Sequence, residues 1–333
     1  MNYQEKVEEF GLIDFAKDDY KSDLAVENLL VNVKPGHRVI VQIKAPYLAA
    51  CTMACLFELN ACIIPCSANL KAAKVKFIAN HARANWLVDD AGIIRLHSNE
   101  EALNDRNIAF LIYTSGSTGQ PKGVLLSRQA VESNATAVAK LHGFGKGAVH
   151  CSLLSLSHCN AIMMSLIGSL ISKGTYAVGN PHLAEDAFDI CTQYSVATLS
   201  IVPALIPAIM KQKYPWPDTL DYVITAAAPL SSKLAKEFYD LYGPRIRQGY
   251  GMSELVNFSF LMPKISDDEF QKHYLHSNPP VGKVLSDQEF RISHDSEILI
   301  KGDSLFSGYF KQKKLTEASF TKDGWFKTGD LGR

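Results

Sequence analysis

The sequence predicts an α/β protein: largely parallel α/β sub-regions over residues 1–255, with an antiparallel β-rich region appended over 256–333. Three observations predict it. From Arg38 onward, short β-rich runs alternate with helix-length segments, the pattern of a parallel sheet with helices on its faces. Past about Val256 that alternation gives way to short strands and turns. With 333 residues, 47% hydrophobic and 20% charged, the chain can bury a sizeable core.

The elements follow in order. "RVIVQI" from Arg38 reads as a strand, and the apolar stretch 45–59 after it as a helix. The runs "ACIIP", "NWLVD", "AFLIY", "TLSIV" and "DYVIT" read as further strands. In "EFRISHDSEILIKG" the polar "HDSE" separates two apolar segments, as in an antiparallel hairpin. The sequence has no repeat, low-complexity tract or long linker, so one body with sub-regions is expected.

Composition excludes several function classes. Lys plus Arg equals Asp plus Glu at 34 each, so no global field draws the molecule to nucleic acid or anionic lipid. Any anion must be held locally. The opening "MNYQEKVEEFG" is neither a secretory signal nor an anchor. The greasiest stretch, 161–171, is too short to span a bilayer and is broken by Ser165, Gly168 and Ser169. A cytoplasmic protein is expected. Cys51 and Cys55, then Cys62 and Cys66, are four apart, a spacing to weigh against a metal site. Cys51 and Cys55 fall in "YLAACTMACLF", where thiols act as small buried hydrophobes, and Cys62 and Cys66 bracket the strand-like "IIP", whose spacing does not converge on one ion.

Chemistry concentrates in "AFLIYTSGSTGQPKGVLLS", residues 109–127. An apolar run ends at Tyr113. Thr114, Ser115, Gly116, Ser117, Thr118 and Gly119 then crowd hydroxyls and glycines ahead of Lys122. Glycines let backbone N–H groups approach an anion, hydroxyls add donors, and lysine supplies a mobile charge, so the composition is that of a phosphate-binding loop. It differs from the Walker loop: Pro121 precedes the lysine, Gly123 follows it, and the chain runs on into "VLL". A strand-to-strand hairpin is the expected setting.

"YTSGSTGQPKG" resembles the signature loop of the adenylate-forming superfamily, which includes acyl- and aryl-CoA synthetases, luciferases and nonribosomal peptide adenylation domains. Further segments of that family follow in the family's order. "LSLSHCNAI" is similar to the segment beside the acyl pocket, which implies substrate contacts at His158, Cys159 and Asn160, with Val202 and Met252 as further substrate residues. "TAAAPLS" resembles the adenine-side loop, which in the family usually has glycines and an acidic or small residue before a proline, and here offers Ala227, Ala228 and Pro229. "RQGYGMSE", residues 247–254, matches the segment for adenine, α-phosphate and Mg²⁺, through Gln248, Gly249, Tyr250, Gly251, Ser253 and Glu254. "GWFKTGDLG" matches the ribose segment and brings in Asp330. The resemblance runs from Val33 onward and implies the N-terminal core of that family.

The implied roles are physically reasonable. Tyr250 can stack on adenine while Gln248 offers an amide to the base edge. Ser253 can donate to the α-phosphate, Glu254 is the hard oxygen ligand Mg²⁺ prefers, and Asp330 can accept from both ribose hydroxyls. His158, Lys122 and Glu254 are the expected catalytic residues. The expected reaction is attack of a small carboxylic acid on the α-phosphorus of ATP, then transfer to the thiol of CoA or of a carrier protein's phosphopantetheine. Amino-acid-activating relatives carry an Asp after the His position; here Cys159, Asn160 and Ala161 follow, and no acidic residue appears before Glu185. An acid without an α-amino group, aryl or aliphatic, is therefore expected, because a buried ammonium without a partner is costly. In the family a small C-terminal domain follows the ribose segment and supplies a lysine bridging both reactants. The sequence stops at Arg333, so that domain is expected to be absent from this chain and adenylation by the chain alone impaired. The alternative reading is a non-catalytic acyl-adenylate or nucleotide-binding module, separable from the enzyme by pyrophosphate exchange.

Overall fold

In the computed structural model, which describes residues 10–14, 29, 31–97, 107–114, 121–275 and 279–333, the β-rich runs become strands of three sheets. The strand Arg38–Gln42, formed by "RVIVQ", lies between Cys62–Pro65 and Trp86–Asp89, parallel to both. Its first four residues are buried, as a strand covered on both faces requires. Ile108–Thr114 adds in parallel beside Cys62–Pro65, and Lys122–Ser127 and Gly308–Tyr309 follow antiparallel. Gly92–Arg95 closes the far edge, making seven strands.

The second sheet has eight strands. Leu12–Asp14, Thr175–Val178, Val149–Ser152, Thr198–Ile201, Tyr222–Thr225 and Ile246–Gly251 lie side by side in parallel. Phe258–Leu261 and Lys283–Val284 extend it antiparallel. The third sheet, Gln288–Ile292, Glu297–Gly302 and Phe326–Leu331, is antiparallel throughout and contains the hairpin read from "EFRISHDSEILIKG". Antiparallel pairing is thus not confined to residues 256–333: the seven-stranded sheet already has it between Trp86–Asp89 and Gly92–Arg95 and between Ile108–Thr114 and Lys122–Ser127.

The apolar segment after Arg38 becomes the helix Pro46–Glu58, with proline opening its first turn. Every residue from Leu48 to Phe57 is buried. A helix apolar all round belongs in a core, and this one packs against strands of both large sheets. Cys51 and Cys55 lie within it at 0% exposure. Burial pushes the Cys62 and Cys66 thiols up to about 12, as befits packing groups. The greasy stretch 161–171 forms a π-helix, Asn160–Ile167, and then the helix Gly168–Ser172. No described helix is long and apolar enough to cross a membrane.

Candidate active site

The parallel strands of the eight-stranded sheet end at one crevice, the usual ligand position in open α/β sheets. The chain leaves Val149–Ser152 toward His158, Thr198–Ile201 toward Val202, Tyr222–Thr225 toward Ala227, and Ile246–Gly251 toward Met252. A cavity of about 380 Å³ opens there. All five residues expected to contact substrate, His158, Cys159, Asn160, Val202 and Met252, line it, together with Ser253. No carboxylate is among the described residues of its lining.

His158 is not a core histidine: its side chain is exposed. It lines this cavity and a second one, of about 340 Å³, which extends toward Lys44, Cys66 and His182. It therefore stands in the wall between two spaces. Its carbonyl accepts from Ile162 N at 3.2 Å, at the start of the π-helix. Wide-turn helices of this kind often accompany functional sites, because the extra residue re-aims neighbouring side chains. Inside the cavity wall, Ser200 Oγ donates to Asn160 Oδ1 at 3.3 Å and holds that amide. Cys159 Sγ donates to Ser253 Oγ at 3.4 Å, which leaves the Ser253 proton free for another acceptor. Burial pushes the Cys159 thiol up to about 11, so it is a donor here and not a nucleophile.

Glu254 sits in the 3₁₀ turn Ser253–Leu255, at 7% exposure. Its Oε1 accepts from Tyr309 Oη at 2.9 Å. Burial, then the charge of Glu254, pushes the Tyr309 phenol above its ordinary range, so it remains a donor. Lys122 Nζ lies 5.6 Å from the centroid of the same ring. Tyr309 reaches this position because Gly308–Tyr309 pairs with Lys122–Ser127, with Tyr309 opposite Val124. Thr114 and Lys122 face one another across the hairpin, so both ends of the glycine-rich loop are held together. Ser115, Gly116, Ser117, Thr118 and Gly119 lie outside the described residues.

The chain reverses directly after Glu254. Val256 has φ 63° and ψ −56°, and Asn257 N donates to Leu255 O at 2.7 Å, a γ-turn of the strained hand on a fully buried β-branched residue. The turn folds Asn257 and Phe258 back onto the strand they follow. A Cβ at Gly251 would lie 1.6 Å from Asn257 O, and one at Gly249 2.6 Å from the Phe258 ring, so both positions require glycine. Ala227 takes φ 67°, in the left-handed region that favours glycine, and it lines the same cavity as His158; Ala228 and Pro229 beside it are exposed.

Tyr250 and Asp330 meet across two sheets, with Tyr250 Oη donating to Asp330 Oδ2 at 2.6 Å. Burial and that hydrogen bond push the phenol pKa above its ordinary range. Gln248 is buried and donates to Pro279 O at 3.4 Å; like Gly249 and Tyr250, it is not part of the cavity lining. Sequence reasoning missed Tyr309, Ser200 and Asn257. Tyr309 stands in "GYF", and only its strand pairing reveals that it reaches Glu254.

The family description "AMP-binding enzyme" matches residues 27–310. A sulfoacetate–CoA ligase from Cupriavidus necator is 29% identical over 231 residues, which are 67% of this chain and 45% of that protein. A 2-succinylbenzoate–CoA ligase from Listeria monocytogenes is 31% identical over 232 residues, 67% of this chain and 46% of that one. The chain spans about half the length of these curated relatives. Among solved structures, o-succinylbenzoate CoA synthetase from Bacillus subtilis, in complex with its acyl-adenylate intermediate, superposes with a TM-score of 0.80 at 21% identity, covering 99% of this chain and 75% of that one. ATP-bound MatB from Rhodopseudomonas palustris gives 0.76 at 20% identity, covering 97% and 73%. At such identities the likeness is one of fold.

Proposed function

We propose, from the premise that this chain belongs to the AMP-binding enzyme family, that it activates a carboxylic acid lacking an α-amino group as an acyl-adenylate, for transfer to the thiol of CoA or of carrier-protein phosphopantetheine. The observation that supports this most strongly is the meeting of His158, Cys159, Asn160, Val202 and Met252 at one cavity that also includes Ser253, the neighbour of Glu254. A carboxylate oxygen attacks the α-phosphorus, the new P–O bond forms as the bond to the β-phosphate oxygen breaks, and pyrophosphate leaves. Two anions must be brought together, so the residues mainly neutralise charge and align the reactants. Lys122 and the free Ser253 proton are suited to phosphate oxygens. Tyr250 and Asp330 are suited to adenine and ribose. The described cavity lining, which holds no carboxylate, suits the acyl part.

The site residues also fit Mg²⁺. Glu254 is a buried carboxylate with Oε1 engaged by Tyr309, and its second oxygen remains available for a hard cation that otherwise takes phosphate oxygens and water. When bound, the ion supplies charge neutralisation at the phosphates. Glu254 would hold it, and Tyr309 orients Glu254. None of the seven cysteines is joined in a disulfide, in keeping with a reducing, cytoplasmic setting.

The test is pyrophosphate release from ATP by the protein that contains this chain, across a panel of carboxylic acids, with the adenylate trapped by hydroxylamine. Acid-dependent pyrophosphate and hydroxamate are expected. ATP binding with neither product from any acid would leave only a nucleotide-binding module.

A further inference from the structure

We propose that a second anion site lies at the opposite edge of the eight-stranded sheet, where Arg247, Arg245 and Lys264 border a cavity of about 370 Å³, and that it takes a small phosphate-type oxyanion. The strands Tyr222–Thr225 and Ile246–Gly251 carry the acyl-side cavity at their carboxyl ends. Their amino ends open onto this other space. Five steps of strand rise separate Ile246 from Gly251, roughly 17 Å, so the two cavities are distinct.

Arg247 forms the floor. It is 7% exposed, and its guanidinium carbon lies 3.4 Å from the centroid of the Tyr222 ring. The ring face offers its π electrons to the cation and no acceptor to the N–H groups. The Arg247 side chain makes no hydrogen bond and no close ion pair among the described residues, and the charge of Asp221 acts on it only from farther off. None of its nitrogens is both sealed from solvent and without a partner. A guanidinium has five donors, and burying it without acceptors is costly, so a desolvated fork that borders a cavity is suited to an oxyanion able to accept two bonds at once.

The rim adds to this. Arg245 and Lys264 are exposed, and Arg245 stands 5.0 Å from the centroid of the Trp216 ring. Asp218 and Asp221 share the rim and are also exposed. Three cations against two carboxylates leave the cavity positive. The carboxylates lie where water screens them, while Arg247 lies where screening is least, so a bound anion gains most at the floor. Arg247 falls within "RQGYGMSE", yet the adenylation reading gives it no role.

The experiment is thermal unfolding of the protein against inorganic phosphate at constant ionic strength, with acetate as the carboxylate arm. A ligand that binds only the folded state raises the unfolding midpoint with concentration. Phosphate is expected to stabilise the wild type saturably and acetate not to. In Arg247→Met the half-saturating phosphate concentration should rise at least about tenfold, because the bidentate donor is gone. If Arg247→Met does not fold, the double variant Arg245→Gln/Lys264→Gln, changed only at exposed positions, should raise it several-fold. A phosphate response unchanged in whichever variant folds overturns the proposal, as does equal stabilisation by acetate.

Discussion

Tyr250 Oη donates to Asp330 Oδ2 at 2.6 Å, joining the strand Ile246–Gly251 of the eight-stranded sheet to the strand Phe326–Leu331 of the three-stranded one. The residues suited to adenine and to ribose are thus mutually oriented, although 80 positions separate them. Replacing Asp330 with Ala should weaken AMP binding by about 1.5–3 kcal/mol for a lost charge-assisted bond, and by less where water substitutes. Tyr250→Phe keeps the ring and frees Asp330, so its loss should stay within about tenfold, or 1.4 kcal/mol. Calorimetry with AMP separates the two; equal affinity of Asp330→Ala and wild type would remove Asp330 from the nucleotide site.

Glu254→Gln should strongly reduce Mg²⁺-dependent pyrophosphate release while leaving the fold intact, since it removes charge without changing shape. Tyr309→Phe removes only the hydrogen bond that orients Glu254. Losing such an outer partner typically costs about 10–100-fold in metal affinity, and a rise of that size in the Mg²⁺ needed for half-maximal turnover is expected. A Tyr309→Phe enzyme with an unchanged Mg²⁺ profile would mean that the 2.9 Å contact does not orient the carboxylate.

An acid without an α-amino group should be accepted ahead of the amino acid of the same size. The described lining of the acyl-side cavity holds no carboxylate to pair an ammonium, and Cys159 and Asn160 stand beside His158. Pyrophosphate release from matched acid and amino-acid pairs reads the preference directly, and a clear preference for the amino acids would refute it.

Stability should fall in mild acid because of two histidines remote from the chemistry. Burial pushes His142 and His150 down to about 3 from 6.5. His150 is held between Thr198 Oγ1 at 2.8 Å and Ser165 Oγ at 2.9 Å, and His142 contacts Tyr222 Oη at 2.9 Å. The unfolded chain binds protons that these folded sites refuse. Their contribution is therefore fully present above about pH 6.5 and is lost as pH falls toward about 3, at about 1.4 kcal/mol per pH unit for each. Urea unfolding at pH 7.5 and 5 should show this slope, and His142→Phe should roughly halve it. A flat profile between those values would show that these rings take up protons in the folded state.

Much of the architecture was legible in the sequence because strand and helix periods are local. "RVIVQI", "ACIIP", "NWLVD", "TLSIV" and "DYVIT" each become a strand, and the segment after Arg38 becomes the buried helix Pro46–Glu58. Linear order also sufficed to nominate His158, Ser253, Glu254 and Asp330, since the quoted motifs are contiguous. Tertiary structure decided what lies between them. Tyr309 meets Glu254 only because its two-residue strand pairs with Lys122–Ser127, and Arg247 faces a cavity only because its strand aligns beside Tyr222–Thr225. The strained turn at Val256 was likewise hidden, since buried packing there outweighs a local backbone preference that reads against it. Sheet pairing joins residues far apart in the chain, and no local period or spacing encodes which partner each strand will choose.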